Sequence, residues 1–217
     1  DWLIGYGVAT ATYPYYRMPG GAARIRLTSD GHAIVQMGSH EMGMGTATAQ
    51  AQLAAELLAM PVECVRFEYG DSNLPRGTAA GGSSQTATIA AAVAAARDKL
   101  IEHLLPLAGP TLAGLGRKDV EPRNQGLAAR NDPSRFESYA SILARAGKDD
   151  IECEAPGPEP GESKKFSMHS YGAQFCEIRV NEVTGETRVA RWLRSFDTSR
   201  MLNARTAASQ FRGGIMI

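Results

Sequence analysis

Two glycine-rich turns carry the residues best suited to binding a ligand. The first turn, residues 43–46, reads Gly-Met-Gly-Thr and precedes a small-residue helix predicted over residues 46–60. The second, residues 81–86, reads Gly-Gly-Ser-Ser-Gln-Thr and precedes a helix predicted over residues 86–104. A helix start offers unpaired backbone N–H groups and a partial positive charge, and glycine lets an anion approach that backbone closely. Because neither turn carries a P-loop lysine, the pair predicts a phosphate-bearing cofactor that is held rather than hydrolysed.

The cysteines and histidines do not predict a metal site. Cys64, Cys153 and Cys176 are too widely separated for a zinc or iron–sulfur motif, and their odd number argues against a disulfide framework. We interpret Cys64 and Cys176, which lie in strand-like segments, as buried thiols. His40 and His169 lie nearest the motifs but lack a metal-like spacing, so we expect structural or hydrogen-bonding roles for both.

The composition excludes several classes of protein. The chain of 217 residues contains 23 Lys plus Arg and 23 Asp plus Glu, so no net charge attracts nucleic acid or an anionic membrane. No apolar run reaches the roughly 20 residues that span a bilayer. The sequence therefore predicts neither a nucleic-acid-binding protein nor a membrane span.

The elements next to the turns are predicted from periodicity. Residues 23–27 and 33–37 each alternate apolar and polar side chains around a Ser-Asp-Gly turn, which predicts a hairpin leading into the first glycine-rich turn. A strand is predicted over residues 62–67. The first helix should bury one face and point its glutamines and glutamate elsewhere. The predicted buried positions are Ala47, Ala51, Ala54 and Leu58 in the first helix and Ile89, Val93, Ala96, Leu100 and Leu104 in the second.

The rest of the chain combines a proline-rich insert with a second hairpin. Residues 106–165 form the insert, for which we predict one short helix that begins with a capping box of Ser134 and Glu137. Residues 176–180 and 187–193 alternate as strands, and residues 203–210 are predicted to be helical. Hairpins and helices without a regular βαβ rhythm predict an α+β fold of antiparallel β-hairpins packed with helices.

Four motifs, in this order, carry a resemblance to a known family. They are residues 38–46 (Gly-Ser-His-Glu-Met-Gly-Met-Gly-Thr), 81–86, 170–177 (Ser-Tyr-Gly-Ala-Gln-Phe-Cys-Glu) and 203–214 (Asn-Ala-Arg-Thr-Ala-Ala-Ser-Gln-Phe-Arg-Gly-Gly). Together they resemble the molybdenum-cofactor-binding half of xanthine oxidase family hydroxylases, and most nearly the bacterial three-subunit aldehyde oxidoreductases of the periplasmic type. The resemblance covers nearly the whole chain apart from the insert. It implies that residues 1–217 are part of the second molybdopterin-binding domain.

The resemblance implies a cofactor, a reaction and partners. The cofactor would be molybdopterin cytosine dinucleotide, bound between two domains of the large subunit. An aldehyde would be oxidised to a carboxylic acid with water as the oxygen source, and electrons would leave through iron–sulfur clusters to FAD, both on partner subunits. We expect the sequence to be a fragment of a longer subunit, ending inside a structural unit at residues 213–217, and to be inactive alone.

The resemblance also implies which residues bind the cofactor. Residues of the first turn would lie beside its dithiolene and molybdenum end, with backbone groups facing oxo ligands or phosphates. Many relatives have glutamine in place of Met44, so only the backbone role carries over there. Residues of the second turn would supply hydroxyl and N–H groups to the pyrophosphate or pterin, and a later glutamine amide would pair with the pterin. The implied cofactor-binding residues are Gly43, Met44, Gly45, Ser83, Ser84, Gln85, Thr86, Gln210, Gly213 and Gly214.

No residue of the sequence is assigned as a catalytic base or a metal ligand. The family's base is a glutamate in a glycine-rich motif near the C-terminus of the full subunit, which we expect beyond residue 217, and the family holds molybdenum by the pterin sulfurs. Glu41 is rejected because it lies at a strand exit inside a cofactor motif. Glu177 is rejected because it lies on a strand opposite the apolar positions.

Two other interpretations remain open at this point. The glycine-rich turns could belong to a non-catalytic module that binds nucleotide or phosphate at its helix starts. The serines and threonines could equally act as helix caps in a chain that folds but binds nothing by itself.

Overall fold

The computed structural model describes residues 1–216, which fall into two compact units. One unit comprises Asp1–Tyr15 and Gly161–Met201, and the other comprises Tyr16–Pro160 together with the C-terminal residues from Leu202. The strands of the described part are β1 (Trp2–Pro14), β2 (Ala22–Thr28), β3 (Ala33–Gln36), β4 (Val65–Glu68), β5 (Val120–Arg123), β6 (Gly126–Ala129), β7 (Phe136–Ser138), β8 (Asp150–Pro156), β9 (His169–Asn181) and β10 (Thr187–Asp197). The α-helices are α1 (Thr46–Leu58), α2 (Gln85–Leu104), α3 (Tyr139–Arg145) and α4 (Ala204–Met216). None of these helices combines the length and apolar character needed to cross a membrane.

The first unit is a three-stranded antiparallel sheet in the order β1–β9–β10. β1 pairs with β9 along its whole length, from Trp2 opposite Asn181 to Pro14 opposite His169. β9 and β10 form the C-terminal hairpin that the alternation of the sequence predicts. A register shift between Val189 and Arg191 makes a bulge in β10.

The second unit contains the core around which the candidate site is built. Its four-stranded sheet has the order β4–β3–β2–β8, in which β3 and β4 are parallel and the other neighbours are antiparallel. Helix α1 makes the crossover from β3 to β4, and α2 lies against β2 and β8. The hairpin of β2 and β3 was predicted from the sequence and is confirmed. A second antiparallel sheet, β5–β6–β7, lies in the same unit.

The buried faces of the two long helices were predicted with unequal success. All five apolar positions predicted for α2 are buried, as its 3.6-residue period indicated. In α1, Ala54 and Leu58 are buried, but Gln50 is also completely buried. The prediction that Gln50 points away from the core was wrong, because its amide bonds the start of α2.

The segment around residues 106–165 is more ordered than its proline content suggested. It holds the single short α-helix that we predicted, α3, but also the strands β5, β6, β7 and β8. The predicted capping box of Ser134 and Glu137 was wrong, because Glu137 lies in β7. The cap of α3 is Ser138, whose side chain accepts a hydrogen bond from the Ser141 N–H.

Other boundaries also differ from the predictions. The strand predicted over residues 62–67 begins as a 3-10 turn, Val62–Cys64, and extends only from Val65. Cys64 is therefore in a turn and half-buried, not in a strand. The predicted helix over residues 203–210 extends to Met216, so the apolar stretch at the end continues α4. Ile217 lies outside the described residues.

Candidate functional site

The starts of α1 and α2 lie side by side. The side-chain amide nitrogen of Gln85 donates to the hydroxyl oxygen of Thr46 at 3.2 Å and to the carbonyl oxygen of His40 at 2.7 Å. In the opposite direction, the amide nitrogen of Gln50 donates to the carbonyl oxygen of Thr86 at 3.1 Å. The convergence of the two glycine-rich turns, on which the sequence-based hypothesis depends, is therefore present in the fold.

Main-chain hydrogen bonds upstream explain why the two turns converge. The Gly38 N–H, at the exit of β3, donates to the Pro75 carbonyl at 2.7 Å, and the Gly70 N–H donates to the Ser39 carbonyl at 3.1 Å. A Cβ on Gly77 would overlap the carbonyl oxygen of Gly38, so only glycine allows this approach. Hydrogen bonds thus join the segment before the first turn to the segment before the second turn.

Two buried acceptor atoms remain at the junction of the helices. Gln50 is 0% exposed and Gln85 is 5% exposed, and the Oε1 atom of each has no hydrogen-bond partner among residues 1–216. The His40 carbonyl sets the orientation of the Gln85 amide, because a carbonyl can only accept and the reverse orientation would place two oxygens 2.7 Å apart. Since a buried acceptor without a donor is costly, a bound group with N–H donors would stabilise this junction.

The first turn is occupied by a side chain of its own segment. The carboxylate of Glu41 accepts from the N–H groups of Gly43 (2.8 Å) and Gly45 (3.1 Å) through Oε1 and from that of Thr46 (2.6 Å) through Oε2. Burial alone would raise the pKa of Glu41, but hydrogen bonds from the backbone N–H groups of this turn outweigh it and lower the pKa. A carboxylate held in this way is a poor proton acceptor, which agrees with its exclusion as the base.

The second turn divides its residues between the interior and the surface. Ser84 is fully buried, and its hydroxyl donates to the Gly81 carbonyl at 2.7 Å, so that proton is used within the turn. Ser83, with a left-handed φ of 55°, and Thr86 are exposed. Of the four predicted residues, Ser83 and Thr86 therefore present hydroxyls at the surface, and Gln85 presents its carbonyl oxygen at the buried junction.

The fourth motif, residues 203–214, contacts the first turn through the beginning of α4. A Cβ on Gly45 would lie 2.7 Å from the Cγ2 atom of Thr206, and the Asn203 amide donates to Gln52 at 2.7 Å. Gln210 and Gly213 follow Thr206 at i+4 and i+7, so they continue the same face of the helix. Both are exposed, and a Cβ on Gly213 or Gly214 would meet no atom within 4 Å.

The remaining candidates are the motif of residues 170–177 and the two histidines nearest the motifs. The motif of residues 170–177 lies on β9 in the first unit, where Glu177 is paired with Arg179. The ring nitrogen Nδ1 of His169 lies 3.1 Å from the Thr12 hydroxyl, which agrees with a hydrogen-bonding role. His40 has an exposed side chain and accepts from Gln85 through its backbone carbonyl, so the predicted role of its ring stays a prediction. No group of three His, Cys, Asp or Glu side chains among residues 1–216 could hold a metal ion.

Glu41 and Gln50 are the two site residues whose positions sequence reasoning missed. Glu41 was noted only as a rejected base, although a carboxylate shortly before two glycines and a helix start can accept their N–H groups. Gln50 was expected to point away from the core because it is polar, although it lies four residues before the buried Ala54 and so on the same face of α1, unlike the exposed Gln52. A glutamine in each helix start was the available signal for a cross-link between them.

Comparisons with known proteins identify the family of the chain. A family model described as the molybdopterin cofactor-binding domain matches residues 1–217. The aldehyde oxidoreductase molybdenum-binding subunit PaoC of Escherichia coli (strain K12) is 30% identical over 215 residues, covering 99% of this chain and 28% of that protein. The carbon monoxide dehydrogenase large chain of Hydrogenophaga pseudoflava is 28% identical over 202 residues, covering 89% of this chain and 24% of that protein.

A solved structure shows the same fold. The quinoline 2-oxidoreductase from Pseudomonas putida 86 matches 99% of this chain with a TM-score of 0.80 and 20% identity, over 29% of its own chain. This chain thus spans less than a third of each of the relatives named here. The match of the family model along the whole sequence places the chain in the molybdopterin cofactor-binding domain family.

Proposed function

We propose that the chain is the cofactor-holding part of a molybdenum hydroxylase that oxidises an aldehyde to a carboxylic acid. The observation that carries the proposal is the junction of α1 and α2, where two helix starts meet beside two buried acceptor atoms without donors. The similarity to a protein named as an aldehyde oxidoreductase molybdenum-binding subunit favours an aldehyde as substrate. The proposed cofactor is molybdopterin cytosine dinucleotide, with iron–sulfur clusters and FAD on partner subunits.

The chemistry of the junction fits a pterin. A pterin ring presents N–H donors along one edge, and the Oε1 atoms of Gln50 and Gln85 are buried acceptors in need of donors. The exposed Ser83 and Thr86 hydroxyls at the start of α2 suit a pyrophosphate, together with the free N–H groups and positive end of that helix. Gln210, on the face of α4 that leads away from the first turn, has an amide that can both donate and accept.

The first turn has a different role in this proposal from that of the second. The N–H groups of Gly43 and Gly45 already donate to Glu41, so these glycines would serve the cofactor by the absence of side chains. Met44 would contribute its half-buried side chain to the wall of the site, and Gly213 and Gly214 would let α4 lie close to the cofactor.

The cofactor supplies the redox chemistry when it is bound: water provides the oxygen, and two electrons and two protons leave the aldehyde and water as the acid forms. The residues of this chain bind and orient the cofactor and exclude water from its buried edge. We assign the catalytic base to no residue of the chain, and we expect the chain alone not to oxidise an aldehyde with a dye acceptor.

The proposal is tested by cofactor analysis of the complete subunit and of a Gln85→Met variant. Methionine keeps the length of glutamine but can neither donate to Thr46 nor accept from a pterin. We expect the variant to lose about tenfold in pterin affinity, because the hydrogen bonds of a buried amide are lost. Molybdenum content, pterin fluorescence after oxidation and cytidine monophosphate released by acid hydrolysis measure the occupancy.

A Gln125→Met variant is the matched control. Gln125 lies in the turn between β5 and β6, and its N–H bonds the Ala59 carbonyl beyond the far end of α1. Its pterin content should equal that of the wild type. A wild-type subunit without molybdenum or pterin that prefers ATP with magnesium would instead identify a nucleotide-phosphate binding module.

A further inference from the structure

The carboxylate of Glu41 lies where an anion would bind to the first turn. Its two oxygens accept three backbone N–H groups, those of Gly43, Gly45 and Thr46, at 2.6–3.1 Å. Thr46 is the first residue of α1, so the charge lies at the positive end of a 13-residue helix. The arrangement is that of an anion bound at a helix start, with the anion supplied by the chain itself.

No side chain within the helix performs this role. The N-cap of α1 is Gly45, which has no side chain, and the first turn of the helix contains no acidic residue. Gly43 and Gly45 have φ values of 98° and 77°, which turn their N–H groups toward the carboxylate. Glu41, four residues before the N-cap, therefore accepts the N–H groups that a side chain at the N-cap would otherwise accept.

The held turn also sets the position of the second helix start. The carbonyl of His40, next to Glu41, accepts from the Thr46 hydroxyl at 3.3 Å and from the Gln85 amide at 2.7 Å. The buried Oε1 atom of Gln85 is thus placed by bonds that begin at the segment of Glu41. A shift of the first turn would move that acceptor.

We infer that Glu41 is a positioning residue for the cofactor, an internal carboxylate that fills the anion position of the first glycine-rich turn and excludes a cofactor phosphate from it. The inference rests on the proposed function, because it concerns the same site. The first turn is then a rigid part of the site, and the negative charge of Glu41 repels phosphate groups from it.

Chemical rescue in the complete subunit tests the inference. Glu41→Ala leaves three N–H groups without an acceptor, and Glu41→Gln replaces one acceptor oxygen with a donor. We expect either change to lower the pterin content about tenfold or more. Formate present during cofactor loading should restore much of the pterin content of Glu41→Ala, whereas chloride at equal ionic strength should not.

Glu63→Gln is the matched control, because Glu63 is exposed in the 3-10 turn after α1, and its pterin content should not change. Full pterin content in both Glu41 variants, or a loss in a folded Glu41→Ala subunit that formate does not reverse, would overturn the inference.

Hydrogen exchange of the wild-type subunit gives an answer even if the variants do not fold. Slow exchange of the N–H groups of residues 43–46 supports an internal acceptor, and exchange at the rate of an open loop contradicts it. If the N–H groups of residues 43–46 exchange slowly in a wild-type subunit that contains no pterin, the proposed function is refuted but the hydrogen bonds of Glu41 are still supported.

Discussion

At the scale of single residues, the candidate site is organised by three polar side chains that form hydrogen bonds within the chain. Gln50 and Gln85 each donate across to the other helix start and keep one oxygen without a partner among residues 1–216. Both carboxylate oxygens of Glu41 accept hydrogen bonds from backbone N–H groups. In each glutamine the bonded amide nitrogen fixes the position of the free oxygen, and in Glu41 the bonded carboxylate fixes the position of the first turn. Groups fixed in this way are suited to binding a ligand.

The lowered pKa of Glu41 predicts how the first turn responds to acid. A carboxyl with a folded pKa below its unfolded value stabilises the fold above the unfolded pKa, about 4.3 for glutamate, and this stabilisation is lost as the pH falls through the folded pKa. We therefore expect the free energy of local opening at residues 43–46, from hydrogen exchange corrected for intrinsic rates, to stay level from neutral pH to about pH 5 and to fall as the pH drops below about 4.3 toward the lower folded pKa. In Glu41→Gln this part of the pH dependence should be absent. An equal fall in both proteins would contradict the assignment.

At the scale of elements, α4 is the part of the candidate site whose sequence is hardest to explain by folding alone. It continues through Gly213 and Gly214, although glycine inside a helix is unfavourable by about 1 kcal/mol relative to alanine. Neither glycine is required by a neighbouring atom, because an added Cβ would meet open space. A helix that keeps two costly residues beside empty space is suited to a ligand that approaches its backbone.

A Gly213→Ala variant should therefore separate stability from binding. We expect the free energy of unfolding to rise by about 0.5–1 kcal/mol, since alanine favours the helix, while the pterin content of the complete subunit falls. Denaturant unfolding and pterin fluorescence measure the two effects. Arg212→Ala, on another exposed face of α4, should leave the pterin content unchanged. A Gly213→Ala variant with unchanged cofactor would remove Gly213 from the site.

The elements differ in how far the sequence could predict them. The stripe of α2 and the hairpin of β2 and β3 follow a clear period with one buried face, and both were predicted. β1 was not predicted, because apolar residues lie on both of its faces and glycines interrupt them. β5 contains a proline and β6 reads Gly-Leu-Ala-Ala, so local propensity argued against strands that tertiary pairing nevertheless forms.

The same limit applies to the site. The turns and helix starts could be located from glycine and capping residues, because those residues have local conformational reasons to be there. The bonds from Gln50 to Thr86 and from Gln85 to His40 join residues 36 and 45 positions apart. Such bonds depend on the register of packed elements, which no local pattern encodes.

At the scale of the whole molecule, the two units bury their side chains to different degrees. The second unit contains the cluster of fully buried residues, including Ile25, Leu58 and Leu100. In the first unit every residue of β1 is exposed, and large apolar side chains such as Tyr6 (80% exposed) and Val8 (68%) face solvent. An apolar sheet of this kind is a surface that favours association with other polypeptide.

We expect this sheet to give the chain, as an isolated polypeptide, a strong fluorescence response to the dye 8-anilinonaphthalene-1-sulfonate. The response should fall when Tyr6 and Val8 are both replaced by threonine, which keeps strand propensity and lowers apolar area. Replacing the exposed Glu182 and Thr184 of the β9–β10 turn by serine is the control. An unchanged response in the double threonine variant would show that the dye binds elsewhere.

The close contact between Gly38 and Gly77 bears on how such a domain can diversify. Because main-chain hydrogen bonds hold together the segments that lead into the two glycine-rich turns, an exchange of the side chain of Met44 or Ser83 leaves these bonds in place. These main-chain bonds do not depend on which side chains stand in the candidate site. Position 77 is the exception, because any side chain there would overlap the Gly38 carbonyl and separate the two segments.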